Sequence, residues 1–264
     1  MEVIAIGTLK GGTGKTNLTF NIGGRLAENS RVLIIDIDPQ ANLTINAGLD
    51  TTVENAKTVR DILESPTKAR PEYVITKAPI DQLPNLDIIA SHIRLTAMEV
   101  QLVSRAGREF VLSKWIKNNR EFLEQYDYIL IDTNPSMSII NQNAFVAADS
   151  IILISDVSEE SKMGAMQFVY LWDEIREAYD LPDNVKAMVL NNVDIRMGQS
   201  EEMIAFYRED EDFQDLIVPT YIPYRASLKR TSQAWLPINV LDPKSDACKA
   251  VCAVVDELRE KGVF

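Results

Sequence analysis

Short, nearly continuous apolar runs recur along the chain at 2–7, 31–37, 86–90, 127–132, 150–155, 185–191 and 216–222. Runs this short that are apolar on both faces predict strands buried on both sides, as in a parallel sheet. Between them lie stretches with apolar residues at helical spacing: 15–28, 57–64, 94–106, 108–124, 138–147, 159–179, 199–208 and 243–261. Strands alternating with helices predict an α/β fold, a twisted, mostly parallel sheet covered by helices on both faces. Right-handed crossovers then bring the C-terminal ends of the strands, and the loops after them, to one edge. The stretch 65–85 is the least regular and reads as a surface excursion. No internal repeat, low-complexity tract or Pro/Gly-rich linker divides the chain, so the expectation is a single domain over residues 1–264.

Composition narrows the class. At 264 residues and 46% hydrophobic, the chain can bury one sizeable core. No apolar run reaches the ~18 residues that span a bilayer, and a strand at the very N-terminus is unlike a secretory signal, so the expected location is cytoplasmic. Cys248 and Cys252 lie one helical turn apart and read as packing residues; His92 is the only histidine and has no partner motif. The net charge of −12 argues against a simple polyanion binder, but the charge is uneven. Residues 159–215 hold fifteen acids and five bases, whereas 216–241 hold Arg225, Lys229 and Arg230 and no acid. Residues 94–120 hold six bases against Glu99 and Glu109. An acidic total can therefore hide a basic face.

The first strand runs into Thr8-Leu9-Lys10-Gly11-Gly12-Thr13-Gly14-Lys15-Thr16 and then into a helical stretch. Strand, Gly-rich loop and helix in that order make a phosphate-binding loop, because backbone N–H groups and the positive helix end converge on phosphate oxygens. Lys15 is placed to bridge the β- and γ-phosphates of a nucleotide, and the Thr16 hydroxyl to bind Mg²⁺. A Gly-rich turn with a chance Gly-Lys-Thr would lack this context. The loop departs from the common P-loop: Leu9 stands where a glycine is usual, and Lys10 directly precedes Gly11-Gly12. With Lys15 already on its own nucleotide, a second lysine is free to reach phosphates held by another subunit.

In this deviant Walker A form the chain resembles the ParA/MinD superfamily of ATPases, in which the extra lysine crosses a nucleotide-sandwich dimer. The resemblance implies ATP and Mg²⁺ as cofactors. It makes Lys10, Gly11, Gly12, Thr13, Gly14, Lys15, Thr16 and Asn17 cofactor contacts, with Asn17 in place of a usual second Thr. The second run ends Asp36-Ile37-Asp38-Pro39-Gln40, and alternation puts both acids on one face beside the loop. Asp-x-Asp-Pro-Gln is similar to the ParA/Soj branch more than the MinD branch. By that resemblance Asp38 positions the attacking water, Asp36 supports the metal, and Lys10, Lys15 and Asp38 are the catalytic set. The run 127–132 ends in Asp132, the Walker B arrangement in which a carboxylate orders a metal-bound water. Asn134 replaces one of two prolines usual after it.

The remaining expectations rest on looser likeness. The family reads adenine near two strand ends, which here are Asn191 and Pro223. The implied function is a ParA/Soj-type ATPase that dimerises on ATP binding and binds non-specific DNA at the nucleoid. It would drive plasmid or chromosome partition with a ParB-like or small centromere-binding adaptor. Arg225, Lys229 and Arg230 are the candidate DNA contacts. A MinD-like membrane cycler would need a basic amphipathic C-terminal helix, yet residues 244–264 balance four bases with four acids, so no membrane contact is expected. A metabolic P-loop enzyme of the same superfamily is the other alternative, but no second substrate motif or suitably placed cysteine pair supports it. With the loop beginning at residue 10, no preceding helix-turn-helix is expected.

Overall fold

The computed structural model describes residues 1–50 and 56–264. Seven strands form one sheet: β1 (Glu2–Gly7), β2 (Val32–Asp36), β3 (Ile75–Thr76), β4 (Leu86–Ile89), β5 (Tyr128–Asp132), β6 (Ser150–Ser155) and β7 (Val185–Leu190). Their order is β3-β4-β2-β5-β1-β6-β7. The five pairings from β4 to β7 are parallel, and the β3–β4 pair is antiparallel. The expected mostly parallel α/β fold is therefore present.

Alternation along the strands sorts the core into two layers. Val3, Ala5, Leu33, Ile35, Ile129 and Ile131 join one apolar cluster. Ile4, Ile6, Val32, Ile34, Leu130 and Ile152 join the other. The first layer packs beneath helices that include Val59–Glu64, Val111–Asn118, Ile139–Ala147 and Glu159–Ala178. The second packs beneath Lys15–Leu26 and Asp246–Glu260. Because the strands from β4 to β7 run parallel, the segments after Gly7, Asp36, Asp132, Ser155 and Leu190 all leave the same edge.

Several elements differ from the expectation. Residues 216–222 form no strand, only isolated bridges from Met188 to Ile217 and from Val193 to Pro223. Pro219 lacks an N–H for the ladder, and the Thr220 N–H donates to the Glu257 carboxylate at 2.9 Å. The stretch 65–85 contains β3 and the short helix Pro71–Val74. The expected helix 108–124 divides into a 3₁₀ turn Arg108–Phe110 and helices Val111–Asn118 and Arg120–Leu123. Asn119 marks the second break, its side-chain amide donating to the Trp115 carbonyl at 2.8 Å in competition with the backbone. Helix Val59–Glu64 begins two residues later than expected because Thr58 and Asp61 form a capping box. Cys248 is buried in the second layer, as its spacing indicated.

The helix after the loop approaches its neighbours closely at Gly24. A Cβ there would meet the Pro237 ring, with Pro237 Cβ at 2.5 Å, and Asn239 Oδ1 at 2.9 Å. Alanine gains about 1 kcal/mol over glycine in a helix interior, but overpacking against a rigid ring costs typically ~1–3 kcal/mol. Gly24→Ala is therefore expected to be destabilised by roughly 1 kcal/mol. Urea unfolding checks this: a midpoint equal to or above wild type would show that the ring yields.

Candidate functional site

Gly12 and Gly14 adopt φ of +85° and +80°, left-handed conformations that glycine takes without a Cβ penalty. Gly14 is the N-cap of helix Lys15–Leu26 and supplies no side-chain cap. The first N–H groups of that helix are thus left to an anion. The loop lines a cleft of ≈ 330 Å³, with Lys10, Gly11, Gly12, Thr13, Gly14, Lys15 and Thr16 on one side and Asp38, Gln40, Asn42 and Pro135 opposite. Eight of the residues expected from the sequence are therefore brought to one cavity.

Lys15 turns inward. Its Nζ lies 3.1 Å from Asp132 Oδ1, and both side chains are almost wholly buried. Thr19 Oγ1 donates to the same carboxylate oxygen at 3.1 Å. Asp132 Oδ2 is buried with no hydrogen-bond partner. Such an orphaned acceptor carries a desolvation cost unless a donor or cation comes to it.

Asp36 sits beside Asp132 in the β2–β5 register and is fully buried. One of its oxygens accepts from the Thr44 N–H at 2.9 Å and hydroxyl at 2.7 Å, and the other from the Asp38 N–H at 3.1 Å. Asp36 does not line the cleft; it fixes the backbone that carries Asp38. Burial, then repulsion from Asp132, pushes its carboxyl up to about 7, against the three donors that favour the charged form. Asp38 reaches the cleft and accepts from the Gln40 N–H at 2.8 Å. Burial also raises its pKa, while the Gln40 N–H and the Lys15 charge pull it back.

Lys10 stands at the rim, its side chain one-third exposed. Its Nζ donates to Ser158 Oγ at 3.3 Å and lies 4.0 Å from Asp156 Oδ2. Sequence reading missed Asp156 and Ser158, although an acid directly after strand β6 is close to the signal that flagged Asp132 at the end of β5. Thr19 and Thr44 were also missed, and nothing in their local sequence marks them.

The other expected residues fall outside the cleft lining. Asn17 directs its amide to the Leu228 carbonyl (3.0 Å), Thr231 Oγ1 (2.8 Å) and Ser232 Oγ (3.4 Å). Asn191 is buried, and its amide donates to the Thr13 carbonyl at 2.7 Å, bracing the loop from β7. Pro223 bridges Val193 just beyond. Arg225 is the N-cap of helix Ala226–Ala234, and Lys229 and Arg230 are exposed on that helix. Arg225 pairs with Asp246 at 2.7 Å, an acid the local composition did not reveal. Lys229 Nζ donates to the Tyr224 hydroxyl at 2.7 Å and lies 4.6 Å from its ring centroid. Among the described residues no cluster of three His, Cys, Asp or Glu forms a metal site, and no helix is long and apolar enough to cross a membrane.

The profile of the family described as "AAA domain" matches residues 1–186. An uncharacterized protein of Mycobacterium tuberculosis is 32% identical over 261 residues, covering 98% of this chain and 79% of the relative. The sporulation initiation inhibitor protein Soj of Bacillus subtilis is 28% identical over 262 residues, covering 99% of each chain. Among solved structures, apo McdA of Cyanothece superposes with a TM-score of 0.85 at 22% identity, over 98% of this chain and 99% of that one.

The Asp36 environment predicts a pH effect. A carboxyl with a folded pKa above its unfolded value binds more protons folded than unfolded between the two. Its contribution to stability is present below about 4 and is lost as pH rises to about 7. The thermal midpoint of the protein without ligand should fall between pH 5 and 7.5 relative to Asp36→Asn, which removes the titrating group. Parallel pH profiles for the two proteins in scanning calorimetry would contradict the assignment.

Proposed function

The chain belongs to the AAA domain family and to the ParA/Soj/MinD-like superfamily of partition ATPases, and from that premise we propose that it hydrolyses ATP as a partition motor. Two copies pair across two ATP molecules, the dimer binds DNA without sequence preference, and a ParB-like or other small centromere-binding adaptor stimulates turnover. The whole chain, 1–264, acts as one ATPase domain, located in the cytoplasm at the nucleoid.

The observation that carries this proposal is the presence of two lysines with different settings on one loop. Lys15 is buried against Asp132, whereas Lys10 sits at the rim and is held by Ser158. A partly exposed rim lysine, held away from Asp132, is suited to a nucleotide in a second copy. The alignment to Soj over 99% of each chain supports the same assignment.

The orphaned Asp132 oxygen and the uncapped helix end fit a magnesium nucleotide. Thr16 and, through water, Asp132 would hold Mg²⁺, which when bound supplies charge compensation for phosphoryl transfer. Lys15 leaves Asp132 to meet the β- and γ-phosphates. Gly11, Gly12, Thr13 and Gly14 offer backbone to the phosphates, and Asn17 follows on the same helix turn. Asp38, across the cleft, accepts a hydrogen bond from the attacking water, and its raised pKa brings it nearer to the range of a base. Asp36 serves the metal from behind, by fixing Asp38. Asn191 and Pro223, on the β7 side of the loop, are the residues that would face the base.

Three outcomes are expected. Asp38→Ala binds ATP but turns over about 100-fold or more slowly, measured by phosphate release; wild-type turnover would remove Asp38 from the mechanism. Lys10→Ala binds ATP yet remains monomeric in sedimentation with a non-hydrolysable analogue, and a stable dimer of this variant would sink the sandwich. Wild type with ATP binds unrelated duplexes in fluorescence anisotropy, with a log–log salt slope near ~0.9 per phosphate neutralised. Changing Arg225, Lys229 and Arg230 to Glu abolishes this binding; an unaffected triple variant moves the DNA surface elsewhere, with 94–120 the next candidate.

A further inference from the structure

We propose that Thr231 is a positioning residue that couples the nucleotide loop to DNA binding, through its hydrogen bond with Asn17. The proposal rests on the reading above that helix Ala226–Ala234 contacts DNA and that the loop binds ATP.

The basic helix is lightly anchored. Of its nine residues only Leu228 and Thr231 are buried, and Arg225 provides no side-chain cap. Its buried polar contacts are few, and they run to Asn17, on the helix that follows the phosphate loop. Asn17 is next to Thr16, which lines the cleft. Its amide donates to Thr231 Oγ1 at 2.8 Å and to the Leu228 carbonyl at 3.0 Å. The Thr231 hydroxyl donates in turn to that carbonyl at 2.6 Å, closing a three-way cluster in which Thr231 is fully buried.

A second link reaches the same helix at its start. Asn191 holds the Thr13 carbonyl at 2.7 Å, and two residues further along the chain the Val193 carbonyl accepts from the Tyr224 N–H at 2.9 Å. Tyr224 directly precedes the N-cap Arg225. The loop is thus linked to the basic helix by two routes, through Asn17 on its inner face and through Asn191 and Val193 at its N-terminus.

Further along helix Lys15–Leu26, Asn21 and Gly24 continue the face of Asn17 at positions i+4 and i+7. Asn21 Oδ1 accepts from the Ile238 N–H at 2.6 Å, and Asn239 donates to the Gly24 carbonyl at 3.0 Å. One helix face is therefore joined by polar bonds to the whole of 228–239. Hydrogen bonds are directional and apolar contacts are not. A small shift of the first helix turn on phosphate binding is passed on through such bonds, where an apolar contact would slide.

Coupling between two ligands is reciprocal. If ATP raises DNA affinity by some factor, DNA raises ATP affinity by the same factor. A residue that only supports the DNA surface lowers DNA affinity in every nucleotide state and leaves that factor unchanged. The test compares wild type, Thr231→Val, which keeps the shape and removes the hydroxyl, and Thr231→Ser, which retains it. DNA affinity for a random duplex is read by anisotropy with a non-hydrolysable ATP analogue and with ADP. Analogue affinity is read with and without the duplex. Thr231→Val is expected to shrink both ratios by about fivefold or more, and Thr231→Ser to restore them; Thr231→Ala serves as the second hydroxyl-free variant where valine impairs folding. Ratios equal to wild type in the hydroxyl-free variant overturn the proposal, whatever happens to thermal stability. An equal loss of DNA affinity in both nucleotide states also overturns it. A wild type whose DNA binding ignores nucleotide overturns the functional reading itself, before any variant is considered.

Discussion

The buried ion pair between Lys15 and Asp132 sets the conditions for everything around the loop. Taking both charges out of water costs several kcal/mol per ion, and only close geometry with added hydrogen bonds offsets that cost. The 3.1 Å contact and the Thr19 hydroxyl supply part of the compensation, but one Asp132 oxygen stays without a partner. The compensation of Asp132 therefore rests on one of its two oxygens. Its negative charge also lies next to Asp36, which responds by holding its proton to higher pH. A polyanion that draws Lys15 away, together with a cation that meets Asp132, would relieve both strains at once. The resting site is in this sense arranged around a charge that arrives from outside.

Charge on the surface follows a different logic. The net charge of −12 would repel a polyanion if it were evenly spread. Much of the acidity is confined to 159–215, after β6. Of the three bases first grouped together, Arg225 is paired with Asp246 while Lys229 is stacked against Tyr224. An exposed pair of this kind contributes little to stability, because solvent screens it. A phosphate can compete for Arg225 at small cost. The region 94–120 is less available than its composition suggests: Arg105 bonds the Leu63 carbonyl, Arg108 pairs with Glu109, and Arg120 with Glu124.

Helix Lys15–Leu26 joins these two electrostatic systems. Its sequence reads as only weakly amphipathic because part of its buried face is polar: Asn17, Asn21 and Gly24 meet 228–239 while Leu18, Ile22 and Leu26 enter the core. That polar face costs desolvation unless every group is bonded, and the bonds exist only when 228–239 lies in register. The helix is thus a structural element whose correct packing depends on the segment that carries Lys229 and Arg230.

The sequence by itself determined what depends on neighbours in the chain. Glycines at 11, 12 and 14, a strand before them and a helix after them specify the loop locally. Short, nearly continuous apolar runs specify six of the seven strands and, with the intervening helices, the parallel sheet. Asp36, Asp38 and Asp132 were legible because strand ends are legible. Tertiary structure decided whatever depends on sheet order. The order β2-β5-β1-β6-β7 brings Asp132 to Lys15 across 117 positions and Asn191 to Thr13 across 178. It made Asn17, expected as a cofactor contact, a partner of Thr231, 214 positions away. It also placed Asp246 on Arg225 and denied 216–222 a continuous ladder, since Pro219 left no donor and Glu257 captured the next N–H. None of these distances has a local signature, because each is set by which strands lie side by side.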